Sequence, residues 1–424
     1  MSAAAPGGLA AARSLDPAGY TLGGRMPGLA LRPATREEVA EALRAAARDR
    51  LAVVPWGAGV ALAREPAPAR YDLAIDLSAL DRIVEYDPED LTLTAECGAT
   101  IAALRAALAA RRQELPLEAA HAGCATLGGL LAADTSGSRR LRFGAPHDRI
   151  LGACFVLADG TLVRSGGKVV KNVAGYATHR LLCGSYGGLA VIVEASLKLA
   201  PAPETRVALC FDMDAAALSD AARWAWLPRL EPSFASVVGA AAAPFLPPTA
   251  RGGSAFTVIV GLEDDRPWVA EQESAVTRVL GTPRARLAGE EVIALEQALA
   301  DLEEQAGPRL SFTTAGNTPP ALAPLLEHSA GLAGNGRLVF HVPAGRLHLF
   351  PERDDLAGAV GAATGSGFTL RAARDPGDAF EGSSPRAGVL ALRGRIRAAL
   401  DPTGVFALGE RWAEIGRASC RERV

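Results

Sequence analysis

The residues from Val53 to Leu62 read VVPWGAGVAL: a short apolar stretch meets Pro55 and breaks into Gly57-Ala58-Gly59. Glycines spaced like this let backbone approach another group closely, because no side chain stands in the way. Phosphate is one such group, yet both familiar templates fail. A Walker loop needs GxxxxGK[ST], and the dinucleotide fingerprint needs GxGxxG opening a helix; here no third glycine falls at the right offset and no lysine follows. Alone, the turn is also what an ordinary strand connection contains. Three further glycine clusters follow, ATLGGLLAADTSG at 125–137, SGGKVVKNVAGY at 165–176 and GSYGGLA at 184–190. A long polyphosphate ligand threaded through a protein needs such places, since amides reach its oxygens only where side chains are small. A helix starting at Thr126 is expected to add free N-terminal amides and the positive end of its dipole.

Other residues able to do chemistry carry two readings each. His121 stands either near the ligand or in a solvated loop. Lys168, Lys171 and Asn172 could bind a carboxylate or a ring carbonyl through charge-assisted bonds, or form a polar loop that positions Tyr176. Arg139, Arg140 and Arg142 form a basic cluster expected at a surface or subunit contact. Glu327-His328 reads as a ligand or base or, more simply, as an exposed helix end, and His341 and His348 as strand positions, since no carboxylate pair accompanies them as a metal would require. The six cysteines show no CxxC and no metal-like grouping, which suits a reduced protein.

These residues need elements to hold them. At 424 residues, 49% hydrophobic and 21% charged, the chain reads as a soluble globular protein of two or three domains. A net charge of -3 and the lack of a basic stripe argue against nucleic-acid binding. No run of apolar residues is long enough for a transmembrane helix and no secretory signal is evident, so a cytoplasmic protein is expected. Thr35 and Glu38 form a capping box that predicts a helix over 36–49 leading into a strand at 51–54. Strands are expected at 71–77, 83–86, 91–97, 150–157, 161–163 and 189–199, the last with Val191, Val193, Ala195, Leu197 and Leu199 forming one core face. Helices fit 100–112 and a start near Thr126. After Pro201-Ala202-Pro203 the pattern predicts an antiparallel sheet with helices on one side, and so a domain boundary near 203–205.

Between about 33 and 200 the order of motifs resembles the FAD-binding domain of the vanillyl-alcohol-oxidase-type (PCMH-type) flavoproteins. The motifs are RPATREEVAEAL, PWGAG, DLSALDRIVEYDPEDLTLTAECGATIAAL, ATLGGLLAADTSGSRR and KNVAGYATHRLLCGSYGGLAVIVEASLKL. Within that superfamily the chain is similar to the FAD-binding subunits of bacterial glycolate oxidase. The resemblance implies that Pro55, Trp56, Gly57, Ala58, Gly59 and Val60 wrap the FAD pyrophosphate. It assigns Thr126, Leu127, Gly128 and Gly129 to pyrophosphate or flavin, and Ser136 and Gly137 to the ring system. Asn172 is expected at the flavin, and the backbone of Ile192 at the adenosine. Family members with covalent flavin often carry histidine just after the glycine turn; Val60 stands there, so FAD is expected to be non-covalent. GSYGGLA replaces the usual GSEGTLG, and Ala177 the aspartate of KNVAGYD.

The implied architecture is α+β: a flexible leader (1–30), a two-subdomain PCMH-type FAD-binding domain (31–204), a cap-like antiparallel-sheet domain (205–390) and a segment returning to the FAD domain (391–413). The last residues, 414–424, read like a translated sequencing adapter and are expected to be non-native. The implied chemistry is oxidation of a small 2-hydroxy acid to a 2-oxo acid, with hydride passing to the flavin. No acid-base set is recognisable and no metal site is expected. In the family a catalytic flavoprotein subunit and an iron-sulfur subunit are partners, which could place the protein at the inner membrane. The alternatives are a self-sufficient 2-hydroxy-acid dehydrogenase and an assembly subunit that has lost flavin.

Overall fold

The computed structural model describes residues 12–62, 67–168, 176–219, 230–303, 309–314, 337–341, 346–351, 356–365, 368–374 and 387–409. These divide into two compact units, one of 12–135, 145–202 and 387–409, the other of 136–144 and 203–374.

In the first unit, helix α1 (Arg36–Asp49) begins as its capping box dictates. Thr35 Oγ1 accepts from the Glu38 amide at 3.1 Å, and Glu38 reaches back to the Ala34 amide at 2.8 Å. Its buried face, Val39, Leu43 and Ala46 among others, covers a small sheet. That sheet is built from β1 (Arg13–Leu15), β2 (Leu29–Arg32), β3 (Val53–Trp56) and β4 (Leu73–Asp76), in the order β1-β2-β4-β3. β4 runs parallel to both its neighbours. The chain's late segment extends the sheet past β3: the Val53 amide donates to Val405 O at 2.7 Å and the Ala407 amide to Val53 O at 2.9 Å. Asp401 shapes that segment by accepting the Val405 and Phe406 amides at 2.8 and 2.9 Å.

A second, antiparallel sheet contains β5 (Ile83–Asp87), β6 (Thr92–Glu96), β8 (Ile150–Val156), β9 (Leu162–Gly166) and β10 (Val191–Lys198), in the order β5-β6-β10-β8-β9. A short pair, β7 (Gln113–Glu114) with β11 (Ala200–Pro201), lies apart from it. Helices α2 (Ile101–Ala109) and α3 (Leu127–Ala133) bury Leu104, Leu108, Leu127 and Leu131 in the core of this half. Strand β10 does not present one face throughout. A register shift between Ile192 and Glu194 divides it, so Val191 and Val193 join the core under α1 while Ala195 and Leu197 join that of α2 and α3.

The second unit is built on an eight-stranded sheet. Its strands are β12 (Thr205–Met213), β13 (Phe234–Gly239), β14 (Phe256–Asp264), β15 (Ala285–Ala288), β16 (Arg309–Thr314), β17 (Arg337–His341), β18 (Arg346–Phe350) and β19 (Phe368–Arg374). Every pairing described between them is antiparallel, in the order β15-β12-β14-β13-β17-β18-β16-β19. Alternation along β12 sends Val207, Leu209 and Phe211 to one core and Ala208 and Cys210 to another. Helix Arg266–Leu280 covers the first face, with Val269, Val276 and Leu280. Helix Glu290–Glu303 covers the second, with Val292, Leu295 and Leu299, so helices lie on both faces and not on one. Residues 136–144 join this unit although their flanks belong to the first. The flanks are tied together: Asp134 accepts from the His147 amide at 3.1 Å and faces its Nδ1 at 2.7 Å.

Candidate functional site

Strand β3 delivers Pro55 and Trp56 to the mouth of the glycine turn. Gly57 is required there by its neighbour, since a Cβ would collide with the Thr126 hydroxyl. Gly59 has φ +74° and abuts the edge of the Trp56 ring, where a Cβ would stand 2.5 Å from the indole. Val60 turns its side chain inward against the core of α2 and α3, while Ala58 is exposed. Among the described residues, none accepts a hydrogen bond from the amides of Gly57, Ala58, Gly59 or Val60. Consecutive amides without internal partners are what an anionic oxygen needs, and a polyphosphate offers several.

The start of α3 is different. Thr126 caps the helix, with its Oγ1 3.2 Å from the Gly129 amide, but the amides of Leu127 and Gly128 donate to Ala99 O and Cys97 O at 2.9 and 2.7 Å. The expected free helix N-terminus is thus already spent on docking α3 against the loop after β6. Gly128 is small because a Cβ there would collide with Cys97. Leu127 is fully buried and Ile192 nearly so, both as core residues.

The remaining predicted residues scatter. Ser136 and Gly137 belong to the second unit, where Ser136 Oγ accepts from Arg140 Nη1 at 2.9 Å and Arg346 Nη1 at 2.8 Å. Arg139, expected at a surface, is buried and holds Glu263 with Nη2 at 3.1 and 3.0 Å from its two oxygens. Arg142 donates to Glu263 O and to Asp264 at 2.6 and 2.7 Å. These arginines therefore fasten residues 136–144 to β14. Lys171, Asn172 and Glu327-His328 lie outside the described residues. Lys168 pairs with Glu85, and Tyr176 is 95% exposed. His121 is an exposed residue at φ 52°, its carbonyl accepting from Cys124 and Ala125. His341 and His348 are buried strand positions, each with Nδ1 on a serine: Ser236 at 2.8 Å and Ser311 at 2.9 Å. Among the described residues no group of three His, Cys, Asp or Glu could hold a metal.

Sequence reasoning missed a polar group beneath the turn. Asp76, at the end of β4, is 3% exposed and faces Tyr20 and Arg32. Burial works against its charge, but hydrogen bonds from Tyr20, Ser78 and Arg32 outweigh that and hold the carboxyl below its usual range. Burial, with the Asp76 charge behind it, raises the Tyr20 phenol. The available signal was a lone aspartate closing the apolar run LAID.

Residues 27–166 match the FAD binding domain family. Glycolate oxidase subunit GlcD of Bacillus subtilis (strain 168) is 33% identical over 195 residues, covering 45% of this chain and 42% of that protein. Glycolate oxidase subunit GlcE of Escherichia coli (strain K12) is 40% identical over 152 residues, covering 35% and 43%. D-lactate dehydrogenase of Archaeoglobus fulgidus is 32% identical over 173 residues, covering 40% and 38%. Each match thus spans less than half of the relative. Among solved structures, FgChi7B aligns with a TM-score of 0.70 over 94% of this chain and 96% of that one, at 12% identity. Alkyldihydroxyacetonephosphate synthase aligns at 0.67 over 90% and 76%, at 16% identity. At such identity the likeness shows the fold alone. No helix among the described residues is long and apolar enough to cross a membrane.

Proposed function

We propose that this chain, whose residues 27–166 form an FAD binding domain, is an FAD-dependent oxidoreductase of 2-hydroxy acids and works as the FAD-binding subunit of a glycolate-oxidase-like complex. The observation that carries the cofactor reading is that no described residue accepts from the amides of Gly57, Ala58, Gly59 and Val60, which lie inside the matched stretch. These amides would take the pyrophosphate oxygens, and the absence of side chains at 57 and 59 lets the backbone close on them. The flavin supplies the redox chemistry when bound. Val60 is aliphatic and packed inward, so it offers no nucleophile and the flavin stays non-covalent.

The role in a complex is supported by similarity to proteins named as glycolate oxidase subunits. Its electron outlet would be an iron-sulfur partner, beside a catalytic flavoprotein subunit, both to be sought by co-purification with the products of neighbouring genes. Similarity to a D-lactate dehydrogenase favours a second reading, in which the chain oxidises its 2-hydroxy acid unaided. Dye reduction separates the two. The subunit reading expects no turnover of glycolate or D-lactate by the flavin-loaded chain alone and turnover once partners are added; turnover by the chain alone supports the second reading.

A further inference from the structure

A chain of hydrogen bonds runs beneath the glycine turn. Trp56 Nε1 donates to the Tyr71 hydroxyl at 2.5 Å, and that hydroxyl donates to the Tyr20 carbonyl at 2.9 Å. The Tyr20 phenol donates in turn to Asp76 Oδ2 at 2.5 Å, which also accepts from Arg32 Nε and Nη2 at 3.0 and 2.8 Å. The other Asp76 oxygen accepts from the Ser78 amide at 2.8 Å. Trp56 is buried, and the Tyr20 ring meets it edge-on with centroids 5.4 Å apart.

The geometry makes the edge of the indole a stop for the turn. Gly59 abuts the edge of its six-membered ring, so a swing of the ring would displace Gly59 and the amides beside it. Packing alone does not prevent that tilt, because Trp56 sits in an apolar cluster with Leu22, Val54, Leu62 and Ala74, which sets volume more strictly than orientation. The bond from Nε1 does set orientation. Its acceptor is itself fixed, since the Tyr71 hydroxyl is spent on a carbonyl whose own residue is clamped by Asp76.

We infer that Tyr71 is a positioning residue for the pyrophosphate-binding turn, acting through Trp56 and held in place through Tyr20 by Asp76 and Arg32. This rests on the FAD reading above and adds to it the device that keeps the amides aimed. Tyr71→Phe preserves ring and volume while removing the acceptor of the indole N–H. Trp56→Phe keeps an aromatic ring at this position and removes the donor.

The test is calorimetric titration of the deflavinated full chain with FAD, and with ADP measured by its competition with FAD, beside a thermal melt of each variant. Loss of one neutral hydrogen bond and the slack it allows should raise the FAD dissociation constant about five- to tenfold in Tyr71→Phe. ADP affinity should fall by the same factor, because the effect lies at the pyrophosphate and not at the flavin ring. Trp56→Phe should show a similar loss, and the double variant no further loss, since both changes cut one bond. An FAD affinity within twofold of the parent overturns the inference, as does a loss for FAD that ADP does not share, or losses that add in the double variant. Should Tyr71→Phe fail to fold, Tyr20→Phe, which keeps the carbonyl acceptor and frees its residue from Asp76, must show the same matched loss. A parent chain that takes up neither FAD nor ADP strikes the FAD reading itself, an outcome distinct from all of these.

Discussion

Gly57 and Gly59 look alike in the sequence, but they are small for different reasons. Gly57 makes room for the Thr126 hydroxyl, whereas Gly59 both adopts φ +74° and lies on Trp56. Alanine at 59 would meet the left-handed penalty of roughly 1–2 kcal/mol as well as the ring. Gly59→Ala should therefore weaken FAD binding by about tenfold or more, read by titration. The glycine clusters were legible in the sequence, yet which glycines face a ligand was not. Gly128 packs on Cys97, Gly187 on the Pro55 ring and Gly188 on the Leu408 carbonyl, so much of the apparent cradle is close packing within the protein. Asp76 carries the pH dependence at this scale. Its carboxyl is held low in the folded chain, so its contribution to stability is complete above the usual carboxylate range and is lost as pH falls through the folded value. In denaturant titrations, stability should decline below roughly pH 5, and Asp76→Asn should be less stable at neutral pH with a shallower acid limb.

At the scale of elements, local signals worked where they were local. The capping box placed α1, and the turn Asp87-Pro88-Glu89-Asp90 separated β5 from β6, because both depend on residues a few positions apart. Strand β10 defeated simple alternation, since its bulge answers to the register of β8. The start of α3 read as an open anion site because its capping was visible, while the acceptors that take its amides, Cys97 and Ala99, come from another element. Arg139 departs from its expected surface place for the same reason, since it finds Glu263 far along the chain, while Arg142 is exposed. Arg139→Met removes a buried partner and leaves Glu263, among the described residues, with Arg206 at 3.2 Å. Chemical denaturation should show a loss of about 3 kcal/mol, and Arg139→Met with Glu263→Leu should recover part of it by removing the stranded charge.

At the scale of the molecule, the change of texture after Pro201-Ala202-Pro203 is a local sequence signal, whereas the excursion of 136–144 into the second unit has none. Its membership in the second unit is set by ion pairs to β14, which no local pattern announces. The excursion also divides the predicted cofactor residues, leaving Ser136 and Gly137 in one unit and the amides of 57–60 in the other. The FAD reading therefore stands chiefly on the turn and on the match over 27–166. The central claim is that these amides hold one FAD per chain without a covalent bond. The direct measurement is titration of FAD into the purified full chain, followed by acid precipitation of the loaded protein. Saturation at one FAD per chain with all flavin in the acid supernatant is the predicted result; no uptake, or flavin retained on the precipitate, would contradict it.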